Sequence, residues 1–150
     1  MDILIPYLHY IGIMILMGAL LAEYFIVKQD ISAAQIKSLA NIDLVYGTAA
    51  VLVIVSGLLR WFVFDSKGAA YFNANPLFHI KLSLFVVIVI LSLFPTMKFH
   101  KWLKQVMRGE LNGLSSKEMR KTLLFIRIEL LLLALIPVLA VMVELGKRFK

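Results

Sequence analysis

The sequence has no cysteine, few charged residues and few interruptions of its hydrophobic runs. Without cysteine, the chain cannot form disulfides, use a catalytic thiolate, or bind iron–sulfur clusters or Cys-ligated zinc. Only 17% of its 150 residues are charged, whereas 61% are hydrophobic and the mean hydropathy is +0.90. A typical soluble domain has roughly 45–50% apolar residues. The composition therefore excludes an ordinary soluble domain and predicts an integral membrane protein.

Four long apolar segments alternate with short polar stretches, which predicts an all-α, integral membrane four-helix bundle formed by one domain. The predicted spans are approximately 3–27, 42–64, 76–94 and 122–143. The first segment has no basic start and no small-residue cleavage site, so we expect it to be a retained span. Helix starts are predicted at Ser32-x-x-Gln35, at Asn75-Pro76 and at Ser115-x-x-Glu118. Asn112-Gly113 predicts a turn.

The longest polar stretch lies between spans three and four and is basic. Lys98, Lys101, Lys104 and Arg108 recur every three or four residues, and Trp102 lies on another side. This pattern predicts an amphipathic helix that lies on the membrane surface or extends span three, in contact with anionic lipid. The net charge of +7 is explained by this contact, and no nucleic-acid motif is present, so no nucleic-acid partner is expected.

The distribution of basic residues also predicts an orientation. Most of them fall in the loops between spans one and two and between spans three and four. By the positive-inside rule these loops are cytoplasmic and both termini lie on the opposite side, which is the periplasm for the bacterial inner membrane in which we expect the protein. The basic tail of Lys147, Arg148 and Lys150 argues against this orientation.

Ionisable side chains fall at two depths of the predicted bundle. His9 lies roughly 9 Å along helix one and His79 roughly 5 Å along helix three from the same membrane face. Arg60 and Lys81 lie at that depth, with Glu144 slightly outside it. The second level contains Glu23, Asp43, Arg127 and Glu129. Ionisable groups in a span cost about 2.5–3.5 kcal/mol each, which makes both levels functional candidates.

The two histidines allow two interpretations. If they face each other, His79 and His9 can be the metal ligands of one heme, with Arg60 and Lys81 pairing with its propionates. In the alternative interpretation, both histidines lie in the interfacial zone and only form hydrogen bonds. Met17 stays open as an axial ligand. Zinc is disfavoured because the chain has no HxxxH or HExxH spacing.

The charged residues of the last span point in different directions. Arg127 and Glu129 are two positions apart and so lie on nearly opposite sides of the helix. Arg127 is expected either to pair with Glu23 or to extend to the interface. Glu129 lies deeper and is expected to face the bundle interior. His100, on the basic stretch, is expected to be solvated.

Three places in the chain resemble a superfamily of small bacterial membrane proteins. They are His9 in helix one, His79-x-Lys81-Leu82 at the start of a later helix, and Arg127-x-Glu129-Leu130 in the last helix. The superfamily includes the HemJ-type protoporphyrinogen IX oxidase and the CopD-type copper-resistance membrane domain. The chain is most similar to a branch of predicted four-span membrane proteins related to these types.

The resemblance implies a heme b-binding redox protein. His79 is the leading ligand that it implies, supported by His9, and the charged residues Lys81, Arg127 and Glu129 are implicated in activity. If the protein is an enzyme, the resemblance implies a heme-dependent oxidoreductase that oxidises a porphyrinogen and passes electrons to quinone.

The chain also departs from the HemJ pattern. Glu23 stands where the HemJ type has arginine, Leu16 stands where it has tryptophan, and the Asn and Pro of the last motif are absent. We expect the fold and a heme-like site to tolerate these changes better than the oxidase activity does. A function of another class therefore stays open, namely a cofactor-free small transporter or a membrane assembly subunit. Candidate partners are the lipid membrane, a porphyrin or quinone, and a second copy of the chain.

Overall fold

The structure, a computed structural model, describes residues 3–29, 31–64, 67–110 and 115–146. Helices account for nearly all of these residues. The helices are α1 (Leu4–Val27), α2 (Ala33–Leu59) continued by a π-helical turn (Arg60–Phe64), α3 (Gly68–Asn73), α4 (Pro76–Met107) and α5 (Ser116–Glu144). No strand occurs in these ranges. Four helices, α1, α2, α4 and α5, are long and apolar enough to cross a membrane. The predicted all-α fold with four spans is therefore confirmed.

Two of the predicted helix starts carry the expected side-chain caps. The Ser32 hydroxyl accepts a hydrogen bond from the Gln35 backbone N–H, and the Gln35 side chain accepts one from the Ser32 N–H, which completes a capping box. The Asn75 side chain accepts from the Leu77 N–H, and Pro76 occupies the first helical position. These local bonds fix where α2 and α4 begin.

The third predicted start is only partly as expected. Ser115 precedes α5 but makes no capping hydrogen bond. The Glu118 carboxylate instead accepts hydrogen bonds from Lys98 and Lys101 on α4. The predicted turn at Asn112-Gly113 and the basic tail at positions 147–150 lie outside the described residues.

The helix of the third span does not end with the predicted span at Phe94, because α4 extends from Pro76 to Met107, 32 residues in all, with Pro95 buried inside it. A proline lacks one backbone donor, but helices in membranes tolerate this when neighbouring groups satisfy the freed carbonyl. The amphipathic stretch is therefore the C-terminal part of α4, the arrangement in which it extends span three. In the same way α2 begins at Ala33, so the polar stretch before position 42 is continuous with span two.

The four long helices surround the main hydrophobic core. Contacts join α1 to α2, α2 to α4, α4 to α5 and α5 to α1, so α1 and α4 stand on opposite corners. Residue pairs run in opposite order along α1 and α2: His9 bonds Ser56, and Gly12 lies opposite Val53. The helices are therefore antiparallel. By the same pairing, Glu23 falls beside the start of span two.

The outer surface of the bundle is apolar along its length. Each long helix exposes large hydrophobic side chains, among them Met14, Val51, Ile90 and Leu131. A surface of this kind is unfavourable in water and is suited to lipid. Only the interior positions then need to accommodate polar groups, and these form the candidate site.

Candidate functional site

His9 is held against α2 by a hydrogen bond to Ser56. Its Nδ1 lies 3.0 Å from the Ser56 hydroxyl, which also lies 2.6 Å from the Leu52 carbonyl, an acceptor for its proton. When the hydroxyl donates to Leu52, it accepts from the His9 Nδ1–H, and a neutral imidazole then carries its lone pair on Nε2. Gly57 provides the space for the ring, since a Cβ atom there would lie 3.1 Å from His9 Cε1.

Cationic side chains surround this histidine. Arg60 and Lys81 both act on His9 electrostatically. The Arg60 guanidinium lies over the Tyr10 ring, and its Nη2 is 3.8 Å from Glu144 Oε1. Thus His9, Arg60, Lys81 and Glu144 lie at one end of the bundle, in the predicted level. We refer to this set as the histidine level.

His79 lies at the same end but has different neighbours. It is exposed, and its Nε2–H donates to the Asn73 carbonyl at 3.0 Å, just before α4. No hydrogen bond or ring contact joins it to His9 within the described part of the chain, and the two helices that carry them are diagonal. Ligation of one iron by both histidines stays a prediction.

Three buried carboxylates form the second polar level. Glu23 on α1, Asp43 on α2 and Glu129 on α5 are exposed by only 2%, 6% and 1%. Glu23 interacts electrostatically with both of the others, and Glu129 with Asp43. We call these three residues the acidic core. Like charges repel strongly in a bundle interior, so this arrangement is stable only when protons or cations neutralise it.

Two hydroxyl groups donate hydrogen bonds to the acidic core. The Tyr46 hydroxyl donates to Glu129 Oε2 at 3.3 Å, and the Thr96 hydroxyl donates to Asp43 Oδ1 at 2.7 Å. By contrast, Glu23 Oε1 and Glu129 Oε1 have no hydrogen-bond partner among the residues that the structure describes. Because an unsatisfied buried acceptor is costly, these two oxygens are suited to bind a proton or another donor.

Asp43 connects the acidic core to the surface through His100. The His100 Nδ1 lies 4.0 Å from Asp43 Oδ2, and the His100 side chain is 62% exposed. The same nitrogen donates to the Thr96 carbonyl at 3.0 Å. His100 is thus exposed, as expected, but it also contacts a buried carboxylate. This contact places an exposed imidazole beside a buried carboxyl group.

Arg127 and Glu129 lie on different sides of α5, as predicted. Glu129 faces the interior, whereas Arg127 is exposed and its guanidinium lies 5.7 Å from the centre of the Tyr24 ring. The pairing with Glu23, one of the two alternatives expected for Arg127, does not occur among the described residues, because α5 turns Arg127 outward over the ring of Tyr24, which follows Glu23 in α1. Glu23 therefore stays without this cation.

The sequence reasoning missed the hydroxyl partners of the acidic core. Ser92, Thr96 and His100 follow one another at intervals of four residues on α4 and so share one helix face. This polar stripe in an apolar helix is the signal that could have predicted them. Tyr46 follows Asp43 by three positions and shares its face of α2. Within the described ranges, no three His, Asp or Glu side chains are grouped in a way that could hold a metal ion.

The fold and these two levels define a class: a helical multi-pass membrane protein with ionisable groups inside its bundle. A family model with the description "Predicted membrane protein (DUF2214)" matches residues 1–147, and the chain belongs to that family. This confirms the predicted membrane family with four spans, and the relation to the HemJ and CopD types stays a prediction. No curated protein and no solved structure is detectably similar to the chain.

Proposed function

We propose that the protein handles protons within the membrane, with the acidic core taking up protons and releasing them toward the face where His100 lies. The observation that supports this proposal is the convergence of Glu23, Asp43 and Glu129 from three helices, with two carboxylate oxygens that lack partners. Carboxylates placed in this way inside a membrane are typical of proton relays.

The groups around the acidic core suit proton transfer. A hydroxyl both donates and accepts a hydrogen bond, so Tyr46 beside Glu129 and Thr96 beside Asp43 can each pass a proton on. His100 is the exposed end of this series, and the two ring nitrogens of an imidazole can donate and accept a proton. With the orientation predicted by the positive-inside rule, the exchange takes place with the cytoplasm of a bacterium.

The test is infrared difference spectroscopy of the protein in lipid nanodiscs at two pH values. We expect a carbonyl band of a protonated carboxylic acid that changes with pH and is reduced in Glu129→Gln. Glutamine keeps an acceptor for Tyr46, so the bundle should stay folded. Glu144→Gln is the matched control, because Glu144 is exposed and pairs with Lys67 rather than with the acidic core.

Two results would overturn this proposal. One is a wild-type spectrum without any pH-dependent carboxylic acid band. The other is a band that is unchanged in both Glu129→Gln and Glu23→Gln, since it would then arise from a group outside the acidic core. Circular dichroism of each variant verifies that the helices are retained.

A second candidate is a heme b-binding redox protein, and the observation that favours it is the geometry of His9. When its Nδ1–H is donated to Ser56, Nε2 of the neutral ring carries no proton, as in histidines that ligate metals. Arg60 and Lys81 are close enough to act on His9 and would pair with propionates. His9 would therefore be able to hold a heme iron through Nε2.

His79 fits that role less well in its present conformation, because its Nε2–H is donated to the Asn73 carbonyl. It would have to release this bond to present Nε2 to an iron atom. For this reason we place the heme proposal second. In it, Lys81, Arg127 and Glu129 would serve the HemJ-type reaction on a porphyrinogen with quinone as electron acceptor, and the acidic core would supply or accept the protons.

Absorption spectra of the purified protein, expressed with a heme precursor, distinguish the two candidates. A heme protein would show b-type bands in the reduced-minus-oxidised difference spectrum, and His9→Ala would abolish them. His79→Ala would abolish them only if His79 is the opposite ligand. A wild-type protein that stays colourless after hemin is added would exclude the heme candidate and leave the proton proposal unaffected.

A further inference from the structure

Helix α4 as a whole is too long to lie within a bilayer core. Its 32 residues span about 48 Å at 1.5 Å per residue, whereas the hydrocarbon core of a bilayer is about 30 Å thick. Helix α4 begins with Pro76 at the end of the bundle where the histidine level lies. Its excess length is therefore at the other end of the bundle, beyond the acidic core. The turns that follow Thr96 therefore lie at the depth of the lipid headgroups.

These turns line a groove that is rich in positive charge. The groove has a volume of about 480 Å³ and includes His100, Lys101, Lys104 and Arg108, with Glu110 at its end. The three basic residues follow one another at spacings of three and four and so share one helix face. No carboxylate in the described ranges forms an ion pair with Lys104 or Arg108, whereas Lys101 is 3.4 Å from Glu118.

We propose that this groove binds the phosphate headgroup of an anionic phospholipid. The depth of the groove in the headgroup layer, its excess of positive charge and the exposed apolar side chain of Met97 on its lining fit a lipid of this class. Met97 is 63% exposed and lies one helical turn closer to the bilayer core than Lys101, where the acyl chains of such a lipid begin.

A bound headgroup would also lie next to the acidic core. His100 lines the groove and is 4.0 Å from Asp43, so a phosphate there faces the exposed end of the series of groups described above. The lipid site itself depends only on the groove and stands whether or not the acidic core handles protons.

The test is native mass spectrometry of the detergent-purified protein titrated with phosphatidylglycerol or with phosphatidylcholine. We expect the wild type to prefer phosphatidylglycerol. In the double variant K104Q/R108Q that binding should weaken by about 30-fold, the effect of removing two basic residues at a membrane surface. Lys37→Gln is the matched control, because Lys37 is exposed at the same end of the bundle but does not line the groove.

Three results would overturn the proposal. Equal binding of the two lipids by the wild type would show that headgroup charge is not recognised. Equal loss of phosphatidylglycerol in Lys37→Gln and K104Q/R108Q would assign the effect to overall charge. Displacement of the lipid by millimolar inorganic phosphate would identify a site for a soluble anion. Both variants change exposed side chains, and a monodisperse elution profile verifies that they are folded.

Discussion

At the residue scale, the glycines of α1 differ in what lies opposite them. A Cβ atom at Gly12 would lie 2.9 Å from Val53 Cγ2 and 3.4 Å from Leu52 Cδ2, so the absence of a side chain allows α1 to approach α2 closely. Gly18 has no atom within 4 Å of a Cβ atom built there. Close packing at Gly12 is also what brings His9 to Ser56, since the two contacts lie one turn apart on the same helix pair.

This difference gives a prediction for two matched substitutions. Gly12→Leu should destabilise the protein by about 1–3 kcal/mol or more, because Val53 is branched at Cβ and cannot turn away from the new side chain. Gly18→Leu should be tolerated, because its side chain would point into lipid. Thermal unfolding in detergent, followed by circular dichroism, measures both. Equal melting temperatures for the two variants would contradict the close approach of α1 and α2 at Gly12.

The residue types in the sequence were enough to predict some members of the candidate site. An ionisable side chain inside an apolar span is visible in the sequence, which is why His9, Arg60 and Glu129 were found without a structure. The direction in which a side chain points was harder to predict. His79 turns to the Asn73 carbonyl and Arg127 turns to the Tyr24 ring, and both choices depend on a neighbouring turn or helix whose position the sequence does not specify.

At the element scale, helix starts were predicted better than helix ends. Ser32 and Asn75 act through bonds to residues two or three positions away, so the signal is local and can be found in the sequence. The end of α4 depends instead on how its surroundings compensate for Pro95, which is buried in the bundle. A local rule that proline ends a helix fails there, because tertiary packing sustains the helix for another three turns.

Elements also decide how the two polar levels differ. The acidic core draws its carboxylates from α1, α2 and α5 and a hydroxyl from α4, so all four long helices contribute to it. The histidine level also includes Lys81 of α4 and Glu144 of α5, but the side chain of Glu144 is 46% exposed. Only the acidic core has all of its carboxyl groups buried. That burial is why we infer proton handling from the acidic core before heme binding from the histidine level.

At the scale of the whole molecule, the antiparallel order of the spans has a consequence for both proposals. The groove on α4 and the start of α2 lie at one end of the bundle, whereas α3 and the histidine level lie at the other. Proton exchange through His100 and lipid binding in the groove therefore concern the same membrane face. The distribution of basic residues predicts that this face is cytoplasmic.

Labelling of single introduced cysteines tests that orientation, and the natural absence of cysteine makes each label unambiguous. In intact bacterial cells, a membrane-impermeant maleimide should label Ala74→Cys, which is exposed near the histidine level, and should leave Lys37→Cys and Lys104→Cys unlabelled until the cells are opened. Ile90→Cys, exposed in the middle of α4, should stay unlabelled in both conditions because lipid covers it. Labelling of Lys37→Cys and Lys104→Cys in intact cells, with Ala74→Cys protected, would reverse the orientation. The acidic core would then exchange protons with the periplasm, and the basic groove would contact the outer leaflet of that membrane.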